Sequence, residues 1–170
     1  MNQIAAASAP AADSLKRRLA CEQLRVSGKV QLRATGSSML PSIWPGDVLV
    51  VEQVRNAGIL RGDVVLFDAG RRFVAHRVIA RDRSTIRTQG DSVPKPDRPL
   101  SSDELLGKVA FILRNGKCVL LSKNVRASDR AMAALFRRSQ LATRVAVGVH
   151  SLRRASKDHN SNHRAVPCQS

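Results

Sequence analysis

The sequence is poor in aromatic and acidic residues, and it contains no long apolar segment. Only 3% of its 170 residues are aromatic, with one Trp and no Tyr, so its core must be built mainly from aliphatic side chains. No run of about 18 or more apolar residues occurs, and we therefore expect no transmembrane helix. The N-terminus has no basic stretch followed by an apolar one, so we expect no secretory signal peptide. These absences predict a protein that is cytoplasmic or peripheral to a membrane.

Cysteine is also scarce. The three cysteines, Cys21, Cys118 and Cys168, are far apart and form no CxxC pair. An odd and scattered set argues against a disulfide framework and against a structural zinc site. We expect no metal and no cofactor.

Positive charge is abundant but unevenly distributed. The chain has 29 Lys and Arg against 13 Asp and Glu, a formal net charge of +16. Residues 114–170 alone hold twelve basic and only two acidic residues. Such an excess favours an anionic partner, either a lipid surface or a nucleic acid, and the charge alone does not choose between them.

The pattern along the chain predicts a mainly β fold with a helix on either side. We expect a loose tail and a short helix in residues 1–28, with the helix running from Asp13 to about Val26, and a β domain in residues 29–123. Short Val, Ile and Leu runs bounded by Gly, Pro and Asp predict strands at 29–34, 47–54, 63–68, 72–80, 85–88, 108–114 and 117–122. Asn115-Gly116 indicates a two-residue hairpin turn between the last two. This spacing favours a barrel of short, mostly antiparallel strands over alternating α/β units.

The C-terminal part has a different pattern. Ser128-Asp129 can cap a helix that begins at Arg130, and residues 124–155 are predicted as a basic amphipathic helix. Such a helix either packs on the barrel with its charged face solvated or lies on an anionic membrane surface. Residues 156–170 are polar and predicted to be disordered.

Ser38 stands in a setting that suits a nucleophile. Gly36 gives backbone freedom just before it, Pro41 stiffens the chain just after it, and a strand follows at 47–54. A tight, exposed turn of this kind can direct backbone N–H groups at a developing oxyanion. The alternative interpretation is an ordinary loop rich in Ser and Gly.

A serine hydroxyl needs a base, and His76 is the candidate. It is the only histidine before the C-terminal stretch, and strict alternation places it on the same face as Val74 and Val78. Burial on that face would keep the imidazole neutral at pH 7, as a general base requires. A core histidine without a catalytic role is the competing explanation.

The base in turn needs an acid to orient it. Asp91 and Asp97 lie in a loop stiffened by two prolines, and either can serve. The sequence does not separate the two, although Asp97 is the preferred orienting group, with Asp91 holding the loop.

Taken in order, these segments resemble the signal peptidase I superfamily of S24/S26-like serine peptidases. The resemblance covers about residues 33–113 and rests on Gly-Ser-Ser-Met-Leu-Pro followed by Pro-Gly-Asp, then Arg-Gly-Asp-Val-Val-Leu-Phe, Ala-His-Arg-Val-Ile, Thr-Gln-Gly-Asp with a second Asp beyond it, and Leu-Leu-Gly-Lys-Val. It implies a barrel-like β domain with Ser38 as the nucleophile. Bacterial members carry a Lys base where this chain has His76, as in the archaeal and endoplasmic-reticulum branch, and in that branch Asp91 and Asp97 match the acid positions.

The resemblance also implies residues around the reacting groups. Ser37, Met39, Pro41 and Arg77 fall in its motifs and are candidates for oxyanion or substrate binding. Many family members carry a serine where this chain has Gly36, so the oxyanion hole would depend on the Ser38 backbone N–H, helped by Ser37 or Thr35. A second departure is the absence of the membrane anchor that signal peptidases normally carry.

The resulting prediction is a serine endopeptidase that cleaves a peptide or preprotein through an acyl-enzyme. One alternative is an inactive accessory protein that binds peptides with the same fold. Another is a regulator of the LexA type, although the first 35 residues are short for a helix-turn-helix and its base would be Lys. We therefore expect no specific nucleic-acid partner, and an anionic membrane could be contacted by the basic C-terminal helix.

Overall fold

The computed structural model of the chain describes residues 8–54, 58–83, 85–123, 127–138 and 146–148. Two helices, α1 (Ser8–Ser27) and α2 (Ala127–Arg138), flank the β domain. The strands are β1 (Lys29–Arg33), β2 (Val48–Glu52), β3 (Val64–Asp68), β4 (Phe73–Arg81), β5 (Ile86–Gln89), β6 (Leu105–Arg114) and β7 (Lys117–Val119). All seven predicted strands are present, and the mainly β architecture is confirmed.

The strands form one antiparallel sheet in the order β1-β2-β6-β3-β4-β5, with β7 paired to β6. The long strand β6 joins the two halves, because it pairs with β2 along one edge and with β3 and β7 along the other. Register shifts in the β2–β6, β3–β6 and β4–β5 pairs mark irregularities of the bulge type, which bend and twist a sheet. The predicted hairpin turn is confirmed: Asn115 and Gly116 both have positive φ, at 52° and 73°, as a type I′ turn requires.

Two turns of the same design start β2 and β3. In the first, Gly46 has φ 92°, the value that a type II turn needs at its third residue. The Asp47 N–H donates to the Trp44 carbonyl (3.0 Å), and the Trp44 N–H donates back to the Asp47 carboxylate (2.8 Å). Residues 60–63 repeat this arrangement around Gly62. A Gly-Asp pair therefore closes each turn with two hydrogen bonds just before a strand begins.

The core is aliphatic, as the composition predicts. The larger cluster of buried side chains comprises Leu24, Val30, Met39, Ile43, Leu49, Val51, Val64, Leu66, Val109 and Ile112. A smaller cluster of Ile59, Val65, Val78 and Ile86 lies under the β3–β4–β5 part of the sheet. The region of β4 that carries the candidate base therefore lies next to a second cluster of buried aliphatic side chains.

The helices differ in detail from the prediction. Helix α1 begins at Ser8 rather than at Asp13, and Leu24 anchors it in the larger core. Helix α2 begins at Ala127, before the predicted cap, and buries Ala133 and Phe136 while Leu135 stays exposed. The rest of the predicted 124–155 helix is largely outside the described residues, as is the predicted disordered tail. Membrane binding through this helix and the predicted domain boundaries stay predictions.

Two further features bear on the sequence-based expectations. Within the described part of the chain, no helix is both long and apolar enough to cross a membrane. Cys118 on β7 is disulfide-bonded, whereas Cys21 on α1 is a free thiol. The cysteine spacing had argued against a disulfide framework and had not indicated this bond.

Candidate active site

Ser38 lies in the connection between β1 and β2. The two ends of this connection are tied together, because the Ala34 N–H donates to the Asp47 carbonyl (2.8 Å) and the Gly46 N–H donates to the Ala34 carbonyl (2.6 Å). Within it, the Leu40–Pro41 peptide bond is cis. The segment around Ser38 is thus a closed loop attached to two neighbouring strands of the sheet.

His76 lies in the middle of β4 and is buried, with 6% of its surface exposed. It pairs with Val65 of β3, and its ring contacts Phe67 edge-on, with the ring centroids 6.0 Å apart. Its Nε2 atom is 3.0 Å from the Ser38 Oγ. Residues 38 positions apart in the sequence are therefore in direct hydrogen-bond contact.

Asp97 lies on the other side of the imidazole. Its Oδ2 atom is 2.7 Å from the His76 Nδ1. An ionised carboxylate can only accept hydrogen bonds, so a neutral imidazole paired with it places its proton on Nδ1 and turns its Nε2 lone pair toward Ser38. In this tautomer the Ser38 hydroxyl donates to His76, which is the arrangement that a serine needs to lose its proton to a base.

The loop that carries Asp97 folds back on β5. The Asp97 N–H donates to the Thr88 carbonyl (2.8 Å), and Ile86 and Leu100 exchange a pair of backbone hydrogen bonds. The Thr88 hydroxyl also donates to the Asp97 Oδ2 (2.7 Å). The acid therefore has a fixed position although its chain segment forms no strand.

A surface ion pair closes the far end of the same loop. The guanidinium of Arg98 binds the carboxylate of Glu104, and the Ser101 N–H donates to that carboxylate (3.0 Å). The hydrogen bond from Arg98 is the main reason that the pKa of Glu104 falls to about 2, with the Ser101 N–H contributing next. The same pair raises the pKa of Arg98.

Asp91 has a different partner from Asp97. It forms a buried, bidentate ion pair with Arg77, with Nε to Oδ1 at 2.8 Å and Nη2 to Oδ2 at 2.9 Å. Arg77 also donates to the carbonyls of Gly62 and Ser122, both at 2.8 Å, and to the Ser42 hydroxyl. Ser42 in turn donates to Asp91. This network joins four segments around β4, so Asp91 holds the structure beside the site.

The start of the same loop lies directly against the nucleophile. The Ser92 N–H donates to the Ser38 carbonyl (2.9 Å), and the Ser92 hydroxyl donates to the Ser37 carbonyl (2.7 Å). Gly90 is so close that a Cβ atom there would be 2.6 Å from the Ser38 carbonyl oxygen and 3.0 Å from the His76 Nε2. Only glycine fits this position without displacing its neighbours.

The other predicted residues are near Ser38 but differ in exposure. Met39 is buried in the larger core, with 4% of its surface exposed, and Arg77 is saturated by the network around Asp91. Pro41 follows the cis peptide bond, and the Ser37 carbonyl receives the Ser92 hydroxyl. The contacts of Met39 and Arg77 favour a structural role for both, and substrate binding by the four residues stays a prediction.

Backbone donors are available beside the Ser38 hydroxyl. Among the described residues, neither the Ser38 N–H nor the Met39 N–H has a hydrogen-bond acceptor. At Gly36 no atom lies within 4 Å of the position that a Cβ would take. The space beside Gly36 is therefore open, and the backbone of the Ser38 turn can supply an oxyanion site.

Sequence reasoning missed four residues that shape the site: Thr88, Gly90, Ser92 and Ser42. Thr88 and Gly90 lie in the Thr-Gln-Gly-Asp motif that pointed to Asp91, so their position in a motif was visible but their partners were not. Ser42 follows the motif that pointed to Ser38. Short polar residues beside a candidate catalytic residue were the available signal.

Within the described ranges, no group of three or more His, Cys, Asp or Glu side chains is arranged to hold a metal ion. A family model described as "Peptidase S24-like" matches residues 2–110, which include Ser38, His76 and Asp97. No curated protein sequence matches the chain.

Proposed function

The chain belongs to the S24-like peptidase family, and from this we propose that it is an active serine endopeptidase that cleaves a peptide or preprotein. The observation that supports this most directly is the unbroken series of hydrogen bonds from Asp97 through His76 to Ser38, with distances of 2.7 Å and 3.0 Å. A histidine that was merely packed in the core would not need a carboxylate on one nitrogen and a loop serine on the other.

The proposed reaction passes through an acyl-enzyme. The Ser38 oxygen attacks the scissile carbonyl while the His76 Nε2 accepts its proton, and the imidazolium then donates that proton to the leaving amine. Asp97 holds the Nδ1–H tautomer and stabilises the imidazolium. The N–H of Ser38, with Met39 beside it, donates to the oxyanion. A water molecule then attacks the acyl carbon while the His76 Nε2 accepts its proton. The imidazolium returns that proton to the Ser38 oxygen as the acyl group leaves as a carboxylic acid.

We further propose that the chemistry is of the signal peptidase type with histidine as base. Support comes from the ordered motifs between Gly36 and Gly107 and from the position of His76 immediately before Arg77. The hydrogen-bonded pair of His76 and Asp97 suits a Ser–His–Asp mechanism, since a lysine base would not require a carboxylate in this orientation.

The proposal is tested with a fluorophosphonate probe, which forms an adduct only with an activated serine. We expect an intact-mass increase for one adduct, its loss in Ser38→Ala, and labelling slower by about 10²- to 10⁴-fold in His76→Ala. The control is Ser27→Ala, which removes a hydroxyl at the end of α1 and should label like the wild type.

The possible results separate the alternatives. If Ser38→Ala and His76→Ala both retain wild-type labelling, the assignment of the nucleophile and base is wrong. If the folded wild-type protein does not label at all, the accessory role or the regulatory role replaces the peptidase.

A further inference from the structure

Thr88 contacts the candidate acid through two different groups. Its carbonyl accepts the Asp97 N–H (2.8 Å), and its hydroxyl lies 2.7 Å from the Asp97 Oδ2. The residue is fully buried at the end of β5, with 0% of its surface exposed. Among the described residues, the hydroxyl has no other hydrogen-bond partner. Its single proton is thus committed to Asp97.

The hydroxyl shares one carboxylate oxygen with the base. The Asp97 Oδ2 receives both the Thr88 Oγ1 and the His76 Nδ1, each at 2.7 Å. Because the ionised carboxylate donates nothing, both neighbours must donate to it. Two donors on one oxygen define its direction, so rotation of the carboxylate about its own axis would break both bonds together. The side chain of Asp97 is 24% exposed and has only these two side-chain donors among the described residues to hold it.

We propose that Thr88 is a positioning residue of this site, which holds the Asp97 Oδ2 against the His76 Nδ1. The inference rests on the proposed peptidase function for its effect on rate, but not for its effect on the resting His76–Asp97 hydrogen bond. A second donor on the same oxygen restricts the carboxylate to the orientation in which its Oδ2 faces the imidazole.

The test replaces the hydroxyl without removing volume. In Thr88→Val a methyl group takes the place of the hydroxyl, and Thr88→Ser keeps the hydroxyl and removes the methyl. Thr85→Val is the matched control, since the Thr85 hydroxyl contacts the Asp82 carboxylate at 3.5 Å on the exposed side of the same strand region. Thr88→Ala is a second variant without the hydroxyl. Thermal unfolding is measured for each, so that rates are compared between folded proteins.

Two readouts are followed in each variant. The first is the rate of fluorophosphonate labelling. It should fall about ten- to hundredfold in Thr88→Val, because a hydrogen bond to a charged group is lost. In Thr88→Ser and Thr85→Val it should stay within about threefold of the wild-type rate. The second is the downfield proton NMR resonance of the His76 Nδ1–H in the resting protein. It should shift or be lost through exchange in Thr88→Val and Thr88→Ala and be retained in Thr88→Ser.

The two proposals fail in different ways. If Thr88→Val labels at the wild-type rate and keeps the resonance, or if Thr88→Ser is as impaired as Thr88→Val, the hydroxyl does not position Asp97 and the inference is wrong. If the wild-type protein does not label, the peptidase proposal fails, while the resonance still decides the role of Thr88.

Discussion

Replacing Gly90 by alanine should disable the site while leaving most of the fold in place. The new Cβ would lie 2.6 Å from the Ser38 carbonyl oxygen, 2.8 Å from a Val93 methyl carbon and 3.0 Å from the His76 Nε2. Ordinary van der Waals contact begins near 3.4 Å, so the oxygen and the Cβ must separate by about 0.8 Å. That oxygen cannot yield easily, because the Ser92 N–H holds it at 2.9 Å.

The magnitude follows from what the displacement does to the reacting atoms. A misplacement of about 1 Å costs about 10²-fold in rate, or roughly 2.7 kcal/mol of barrier. Extra volume in a well-packed region costs about 1–3 kcal/mol of the free energy of unfolding. We therefore expect Gly90→Ala to fold with a lowered unfolding temperature and to label with fluorophosphonate about a hundredfold more slowly than the wild type.

The matched control is Gly58→Ala. At Gly58 no atom lies within 4 Å of the position of a Cβ, and its φ is outside the range that disfavours alanine, so this variant should label like the wild type. The rate of labelling and the thermal unfolding are measured side by side for the two variants. Wild-type labelling by a folded Gly90→Ala protein would refute the reasoning, because it would mean that the close approach is not needed for the geometry of Ser38.

Two further predictions concern the carboxylates. Asp97→Asn should lower the labelling rate by about 10³- to 10⁴-fold with little change in unfolding temperature. Asp91→Asn should instead lower the free energy of unfolding by about 3–5 kcal/mol, because it leaves Arg77 buried without its charge partner. Equal effects of the two variants on stability would contradict this division. Glu104 has its pKa lowered to about 2 by Arg98, so its small, salt-sensitive contribution to stability is complete above about pH 4.5 and is lost as the pH falls toward 2. The difference in unfolding temperature between wild type and Glu104→Gln should shrink over that range, and a difference independent of pH would exclude the ion pair as its source.

The strands could be predicted because their signals are local. Runs of β-branched residues bounded by Gly, Pro and Asp predicted the positions of all seven strands, and Asn115-Gly116 predicted the turn between β6 and β7. The ends of the helices were less accurate, since helix ends depend on capping contacts that the sequence only suggests. The order of strands in the sheet was not predicted at all, because it depends on contacts between residues far apart in the chain.

Arg77 shows where alternation along a strand stops being informative. Strict alternation places His76 on the buried face and Arg77 on the exposed one. Both are buried in the structure, at 6% exposure each, because both faces of β4 are covered at this point. The arginine can be buried since its guanidinium has a bidentate carboxylate and two carbonyl acceptors. Nothing in the local sequence indicates that these partners converge.

The site was predicted as a set of residues, and the structure adds the strand register that brings them together. Antiparallel pairing sets Arg77 opposite Gln89, so the preceding His76 meets the following Gly90. Every second residue from Thr88 to Ser92 then contacts the site. The Thr88 hydroxyl donates to Asp97, and Gly90 lies close to His76 and Ser38 because it has no side chain. The Ser92 hydroxyl donates to the carbonyl of Ser37, next to Ser38.

This spacing explains why the site should be sensitive to the position of β5. A slip of one residue would bring Gln89 or Asp91 against His76, where the space allows no side chain, and would turn Thr88 away from Asp97. The bulge in the β4–β5 pair, between Val78 and Ala80, lies just beyond this point and changes the register there. The Arg77–Asp91 ion pair and the bulge thus lie on either side of the part of the β4–β5 pair on which the hydrogen bonds of Ser38, His76 and Asp97 depend.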